Sequence, residues 1–222
     1  MDPNPLPRRR KSTDVRRGEI AEAAMRVVAS QGTRQFTARV LAREVGITDG
    51  AVFRHFPSME AIADAVVERM ESLLFADLPP AGGDPVERLG GFFRRRVAAI
   101  GEHPELSRLL LSDHLAQLGS PAHAERVAGF KRRTRRFVRD CLLQAGRRGR
   151  LRRAMTPDVG VILVSGAILA LTHANPRPGD AAGLARLAEE VWAAVETALT
   201  GVAAPVAAPA GPHAARAGRT GR

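Results

Sequence analysis

Between Arg16 and Gln31 the apolar residues Ile20, Ala24, Val27 and Val28 recur at helical spacing, and Gly32 ends the pattern, which predicts a first helix. A second helix runs from Ala38 to Glu44, opened by Thr37, whose hydroxyl can accept an orphan backbone N–H, and closed at Val45-Gly46. Glycine tolerates the left-handed backbone of a tight helix end, so the chain can reverse at once. Thr48 is then placed to cap a third helix from about Asp49 to His55. Val40, Leu41, Val45, Ile47, Val52 and Phe56 fall on the inward face of this pair, with the small Ala42 where the helices cross. Arg39, Arg43, Asp49, Arg54 and His55 fall outward, and Gly50 and Ala51 let the backbone at the start of the third helix approach phosphates or base edges closely. An ordinary helix hairpin in a core would satisfy the same pattern. Downstream, Pro57-Ser58 breaks and recaps the chain, and Ile62, Val66, Val67, Met70, Leu73 and Leu74 form the stripe of a longer fourth helix.

Beyond that point, Asp84-Pro85, Ser120-Pro121 and Thr156-Pro157 each place a cap before a proline and open a long apolar-periodic segment; His103-Pro104 opens another. Segments starting near Asp84, Pro104, Pro121, Pro157 and Asp180 supply five helices after the first four, and no alternating strand pattern interrupts them. The predicted fold class is all-α, with an N-terminal three-helix helix-turn-helix domain and a C-terminal helical domain, about nine helices in all. The predicted divisions are a basic disordered arm over 1–13, the helix-turn-helix domain over 14–74, the helical domain over 75–200, and a disordered Ala/Pro/Gly/Arg tail over 201–222.

The run FTARVLAREVGITDGAVFRHFPSMEAI, from Phe36 to Ile62, resembles the DNA-binding domain of the TetR family of bacterial transcriptional regulators. The resemblance extends without gaps over roughly Val15 to Leu74, including the glycine turn, the aromatic-x-x-aromatic-Pro-Ser ending and the glutamate after it. It implies that Thr37 touches a phosphate, that Thr48, Asp49, Gly50 and Ala51 face the major groove, and that Arg54 and His55 reach the backbone or bases. Arg39 and Phe53 complete the expected DNA-binding set. The chain departs from the family at Phe53, often tyrosine, and at Met59, often lysine; neither residue here can grip a phosphate. Arg8-Arg9-Arg10-Lys11, in a segment with Pro3, Pro5 and Pro7, offers compensation as a basic arm or is simply a solvated tail.

Charge agrees with a polyanion partner. Of 222 residues, 34 are Lys or Arg and 23 are Asp or Glu, a net charge of +11. The stretch from Arg126 to Arg153 holds twelve Lys or Arg and a single acid, Asp140, so the excess lies outside the helix-turn-helix. There Arg132, Arg133, Arg135, Arg136 and Arg139 populate the outer face of a helix whose inner face is Val127, Phe130, Phe137, Cys141 and Ala145. Such a face is either merely solvated or a site for an acidic ligand or protein.

The most apolar segment, Val159 to Leu171, is too short to span a membrane. With the segment after it, it is the expected dimer interface, through Gly160, Leu163, Ala167, Leu171, Trp192, Val195 and Leu199, because the last two helices of the family typically form a four-helix bundle with their symmetry mates. The expected effector pocket lies between the fourth to eighth helices, lined by Phe93, Val97, Ile100, Leu110, His114, Leu118, Phe130, Phe137 and Cys141, with His114 as the polar group. A single cysteine and the lack of an apolar signal segment predict a cytoplasmic protein. His103, Glu105, Asp113, His114 and His123 lack a firm ligand spacing, so no metal is expected; no cofactor or catalytic motif is recognised either. The predicted function is a ligand-responsive transcriptional repressor that binds a palindromic double-stranded DNA operator as a homodimer and answers to a small apolar effector. The alternative is DNA binding coupled to a protein partner, like the subset of the family that blocks cell division over the nucleoid, suggested by Glu102 to Leu118 and the basic helix after it.

Overall fold

The computed structural model describes residues 12–202 apart from 77, 79–81, 120 and 174–179. Residues 1–11 of the predicted basic arm and most of the predicted tail therefore lie outside the described residues, as does the predicted cap Ser120, whereas Ser12 and Thr13, placed in the arm by the sequence, open the first helix. Among the described residues the regular structure is nine α-helices and one short 3-10 turn.

The helices begin and end where side chains satisfy their orphan backbone groups. Helix α1, Thr13–Gln31, starts three residues before the predicted Arg16, because Ser12 Oγ accepts the Val15 N–H at 3.4 Å. Helix α2, Ala38–Val45, is capped by Thr37 Oγ1, which accepts the Val40 N–H at 3.3 Å. It ends at Gly46 in the left-handed region (φ 74°), with Ile47 N–H donating to Ala42 O and Gly46 N–H to Arg43 O. That paired closure turns the chain sharply into α3, Asp49–His55. Ser58 caps α4, Met59–Phe75, and Asp84 Oδ1 caps α5, Pro85–Glu102, by accepting both Val86 and Glu87 N–H groups. Helices α6, Glu105–Leu111, α7, Pro121–Arg147, α8, Pro157–His173, and α9, Ala181–Thr200, complete the chain.

Helices α1 to α3 pack around Ile20, Val28, Leu41, Val52 and Phe56, and α4 lays Ile62, Val66 and Met70 against α1. Helix α5 is the centre of the rest, touching α4, α6, α7, α8 and α9. Its most extensive contact is with α9, where Trp192 packs on Phe93 with ring centroids 5.4 Å apart. Gly90 permits it: a Cβ there would lie 2.8 Å from the Trp192 ring. Helix α6 packs against α1, so the C-terminal half touches the N-terminal head at α6 as well as through α4.

The packing corrects the expected dimer residues. Leu171, Trp192, Val195 and Leu199 are buried inside the chain, and a Cβ at Gly160 would meet Leu142 and Leu199 of the same chain. The small-residue stripe of α8 thus seats its own neighbours, α7 and α9. Only Leu163 and Ala167 of the expected set remain half-buried, beside exposed Val159, Gly166 and Ala170.

Candidate functional site

The turn at Gly46 holds α3 so that one face carries Val52 and Phe56 into the core and the opposite face is open. On that open face Thr48, Asp49, Gly50, Phe53 and Arg54 are exposed, with Thr37 and Arg39 at the start of the preceding helix beside them. Ala51 and His55 are half-buried. Arg39 Nε lies 3.7 Å from Asp49 Oδ2, both largely in solvent, a pairing weak enough to be exchanged for another anion.

Thr48 corrects one expectation. It occupies the position before α3 with extended backbone, but its hydroxyl makes no capping bond, unlike Thr37, Ser58 and Asp84. The first turn of α3 thus has no side-chain cap beside an uncommitted hydroxyl, although the Ala51 N–H donates to Thr48 O at 2.9 Å. Gly50 is likewise not demanded by the chain itself, since a Cβ there would meet no atom within 4 Å. The other end of α3 is held by a residue that sequence reasoning passed over: Arg17 Nη1 donates to His55 O at 2.7 Å, and its guanidinium lies 4.3 Å from the Phe56 ring centroid. Of the two departures from the family pattern, Phe53 is about half exposed and Met59 packs against the core.

The second feature is a cavity of about 480 Å³ between α5, α6, α7 and α8. Its apolar wall includes Ile100, Leu110, Leu111, Phe130, Val161, Ile168 and Leu169, and its polar groups include Arg96, Thr134, Lys131 and Arg135. Of the expected lining, only Ile100, Leu110 and Phe130 are there. Phe93 and Cys141 are fully buried in the core instead, and Phe137 packs on Phe92 with ring centroids 5.0 Å apart. Val97 lines a different cavity of about 310 Å³, against Leu184 and Ala188 of α9. His114 and Leu118 lie in the turn after α6, where Leu115 takes the buried position. The reason is rotational: α5 turns Phe93 and Val97 toward α9, leaving Arg96 and Ile100 toward α7 and α8.

Arg96 is the polar residue that sequence reasoning missed. It falls in the buried stripe of Leu89, Phe92, Phe93 and Ile100, where a charged side chain among apolar positions was the available signal. A further cavity of about 360 Å³ reaches the same arginine from beneath the end of α4, between Leu73, Leu74 and Phe92.

Cys141 is 1% exposed, and burial pushes its thiol pKa up, opposed by the nearby Arg88 charge. Among the described residues no group of three His, Cys, Asp or Glu side chains could hold a metal ion. No helix of the described residues is long and apolar enough to cross a membrane.

The model of the bacterial regulatory proteins of the tetR family matches residues 20–66, the span from α1 into α4 that contains this turn. The HTH-type transcriptional repressor KstR2 of Mycobacterium tuberculosis is 32% identical over 152 residues, covering 67% of this chain and 74% of that protein. The chain belongs to the TetR family of bacterial regulatory proteins. Its helix pair α2 and α3 is therefore the helix-turn-helix of a DNA-binding transcriptional regulator. Similarity to this family extends past the head: the solved structure of the ketosteroid transcriptional regulator KstR2 superposes with a TM-score of 0.72 at 26% identity, over 86% of this chain and 97% of that one. The nucleoid occlusion factor SlmA of Marinomonas is 24% identical over 165 residues, covering 73% of this chain and 81% of that protein.

Proposed function

We propose that this TetR-family protein is a homodimeric repressor that leaves a palindromic operator when a small, largely apolar effector fills the 480 Å³ cavity. The cavity carries the reading: it has the volume of a small-molecule site and a largely apolar surface into which a few cationic and hydroxyl side chains are set. Likeness to a repressor described as a ketosteroid regulator supports a bulky apolar effector body.

In this reading Thr48, Asp49, Gly50, Ala51 and Arg54 enter the major groove, while Thr37, Arg39 and His55 meet phosphates. Two copies join through the outer faces of α8 and α9, where exposed Val159, Gly166 and Ala170 continue into half-buried Leu163, Ala167, Leu187 and Val191. Recognition helices of a dimer fit successive major grooves only about 34–36 Å apart, so an effector preferring another arrangement lowers operator affinity by its differential binding. The route is short. Helix α6 contributes Ser107, Leu110 and Leu111 to the cavity and packs against α1 of the head.

The partner-coupled reading has less behind it, because a largely apolar recess, open to solvent at Leu111, Ile162 and Leu169, lies between α5, α6, α7 and α8. The basic face of α7 is also partly neutralised, Arg126 and Arg133 pairing with Glu71, Arg132 with Glu125 and Arg139 with Asp158. Selecting bound fragments from genomic DNA and then titrating the recovered site against lipophilic compounds tests the proposal. Saturable release of a palindromic site is expected. Tight binding that no compound weakens would overturn the sensor reading.

A further inference from the structure

Arg96 is 6% exposed, yet no described carboxylate pairs with it. Both of its hydrogen bonds leave from Nη2, to Leu74 O at 3.1 Å and to Thr134 Oγ1 at 3.5 Å. The rings of Phe92 and Phe75 flank it, 5.0 and 5.3 Å from the guanidinium carbon. Burial lowers its pKa to about 10, which still leaves it a cation at neutral pH. An unpaired buried charge is costly, and a leucine would fill this register of α5 at no such cost. The surroundings say what would offset the charge. The cavity wall holds three cations, Arg96 deep inside with Lys131 and Arg135 exposed, and no carboxylate.

We propose that Arg96 anchors the acid group of the effector, so that the cavity takes an amphipathic organic carboxylate. Its apolar body lies against Ile100, Leu110, Phe130 and Ile168, and its carboxylate accepts from the guanidinium N–H groups left over by Leu74 and Thr134. The polar anchor is thus Arg96, not His114. Lys131, with Arg135 loosely paired to Asp158 at 4.0 Å, adds a positive field at the exposed side, which draws an anion inward. Because Leu74 lies in the last turn of α4, the guanidinium that takes the carboxylate is also tied to the helix that leads to the DNA-binding head.

The inference rests on the cavity being the effector site, and its test separates the two. Full-length protein is titrated calorimetrically with decanoate, decanol and decylamine, and with deoxycholate beside its amide with a neutral amine. Wild type, Arg96→Gln and Arg96→Lys are compared, with circular dichroism checking the fold. At least one acid should bind the wild type about tenfold or more tighter than its neutral analogue, with the amine weakest. Arg96→Gln should erase that preference while leaving the affinity of the neutral analogue in place, and Arg96→Lys should keep part of it. Acid and neutral analogue binding alike, or an acid preference surviving in Arg96→Gln, overturns the assignment of Arg96 and leaves the effector cavity standing. If Arg96→Gln does not fold, the order of head groups on the wild type decides alone. Operator binding intact with none of these amphiphiles bound would instead overturn the effector reading, and this inference with it.

Discussion

Thr37 and Thr48 stand at equivalent positions before α2 and α3, yet only one is committed to its helix, so Thr37→Ala and Thr48→Ala should fail in different ways. Thr37 Oγ1 accepts the Val40 N–H at 3.3 Å; Thr48 makes no such bond. Loss of a working N-cap costs about 0.5–2 kcal/mol, and the length of the Thr37 bond places it near 1 kcal/mol. Urea denaturation followed by circular dichroism should therefore show Thr37→Ala destabilised by about 1 kcal/mol, and Thr48→Ala by no more than a few tenths, the ordinary range for an exposed change. Operator affinity should reverse the weighting. If the Thr48 hydroxyl is kept for DNA, its removal should cost about 1–3 kcal/mol of binding, roughly 5- to 150-fold in Kd, when read by fluorescence anisotropy at fixed salt on the selected operator. Equal destabilisation of the two variants, or unchanged operator affinity in Thr48→Ala, would refute the argument that α3 holds its N-terminus open for a ligand.

Further expectations follow from the same geometry. Deleting residues 1–11 should flatten the plot of log affinity against log salt by about 0.9 for each phosphate that the arm neutralises, whereas an unchanged slope would make the arm a solvated tail. Gly166→Arg on the open face of α8 should leave the helix content intact and shift the protein toward monomer in analytical ultracentrifugation, since a Cβ there meets nothing within 4 Å; a dimer that persists would place the interface elsewhere. Leu199→Ala should cost about 2–5 kcal/mol of stability in urea denaturation, because the side chain is fully buried beneath Gly160. Cys141 should react with a thiol reagent such as dithionitrobenzoate far more slowly in the native protein than in urea, as its burial and raised pKa both suppress the thiolate; equal rates would mean that the site is open.

Helix existence, the reading head and the caps at Thr37, Ser58 and Asp84, though not the one expected at Thr48, were legible in the residues because each depends on neighbours a few positions away. Thr37, Gly46, Ser58 and the Asp84-Pro85 pair act within one turn of chain, and Gly46 needs only its own φ of 74° to redirect α3. The amphipathic faces of α4 and α7 were readable for the same reason: polar residues mark the side that stays wet. Helix α8 has no such mark. It is apolar or small nearly all round, so its sequence could not say that Gly160 and Leu171 turn inward while Val159, Ile162 and Leu169 stay exposed. That choice is made by α7 and α9, which pack against it from elsewhere in the chain. The 480 Å³ cavity is likewise a property of the assembly: of two adjacent residues on α5, Val97 faces α9 and Arg96 faces α4 and α7, and only the rotation of α5 within the bundle decides which of them lines it. Local chemistry fixes each helix and its ends, whereas which face meets which neighbour depends on long-range packing that no short window of residues contains.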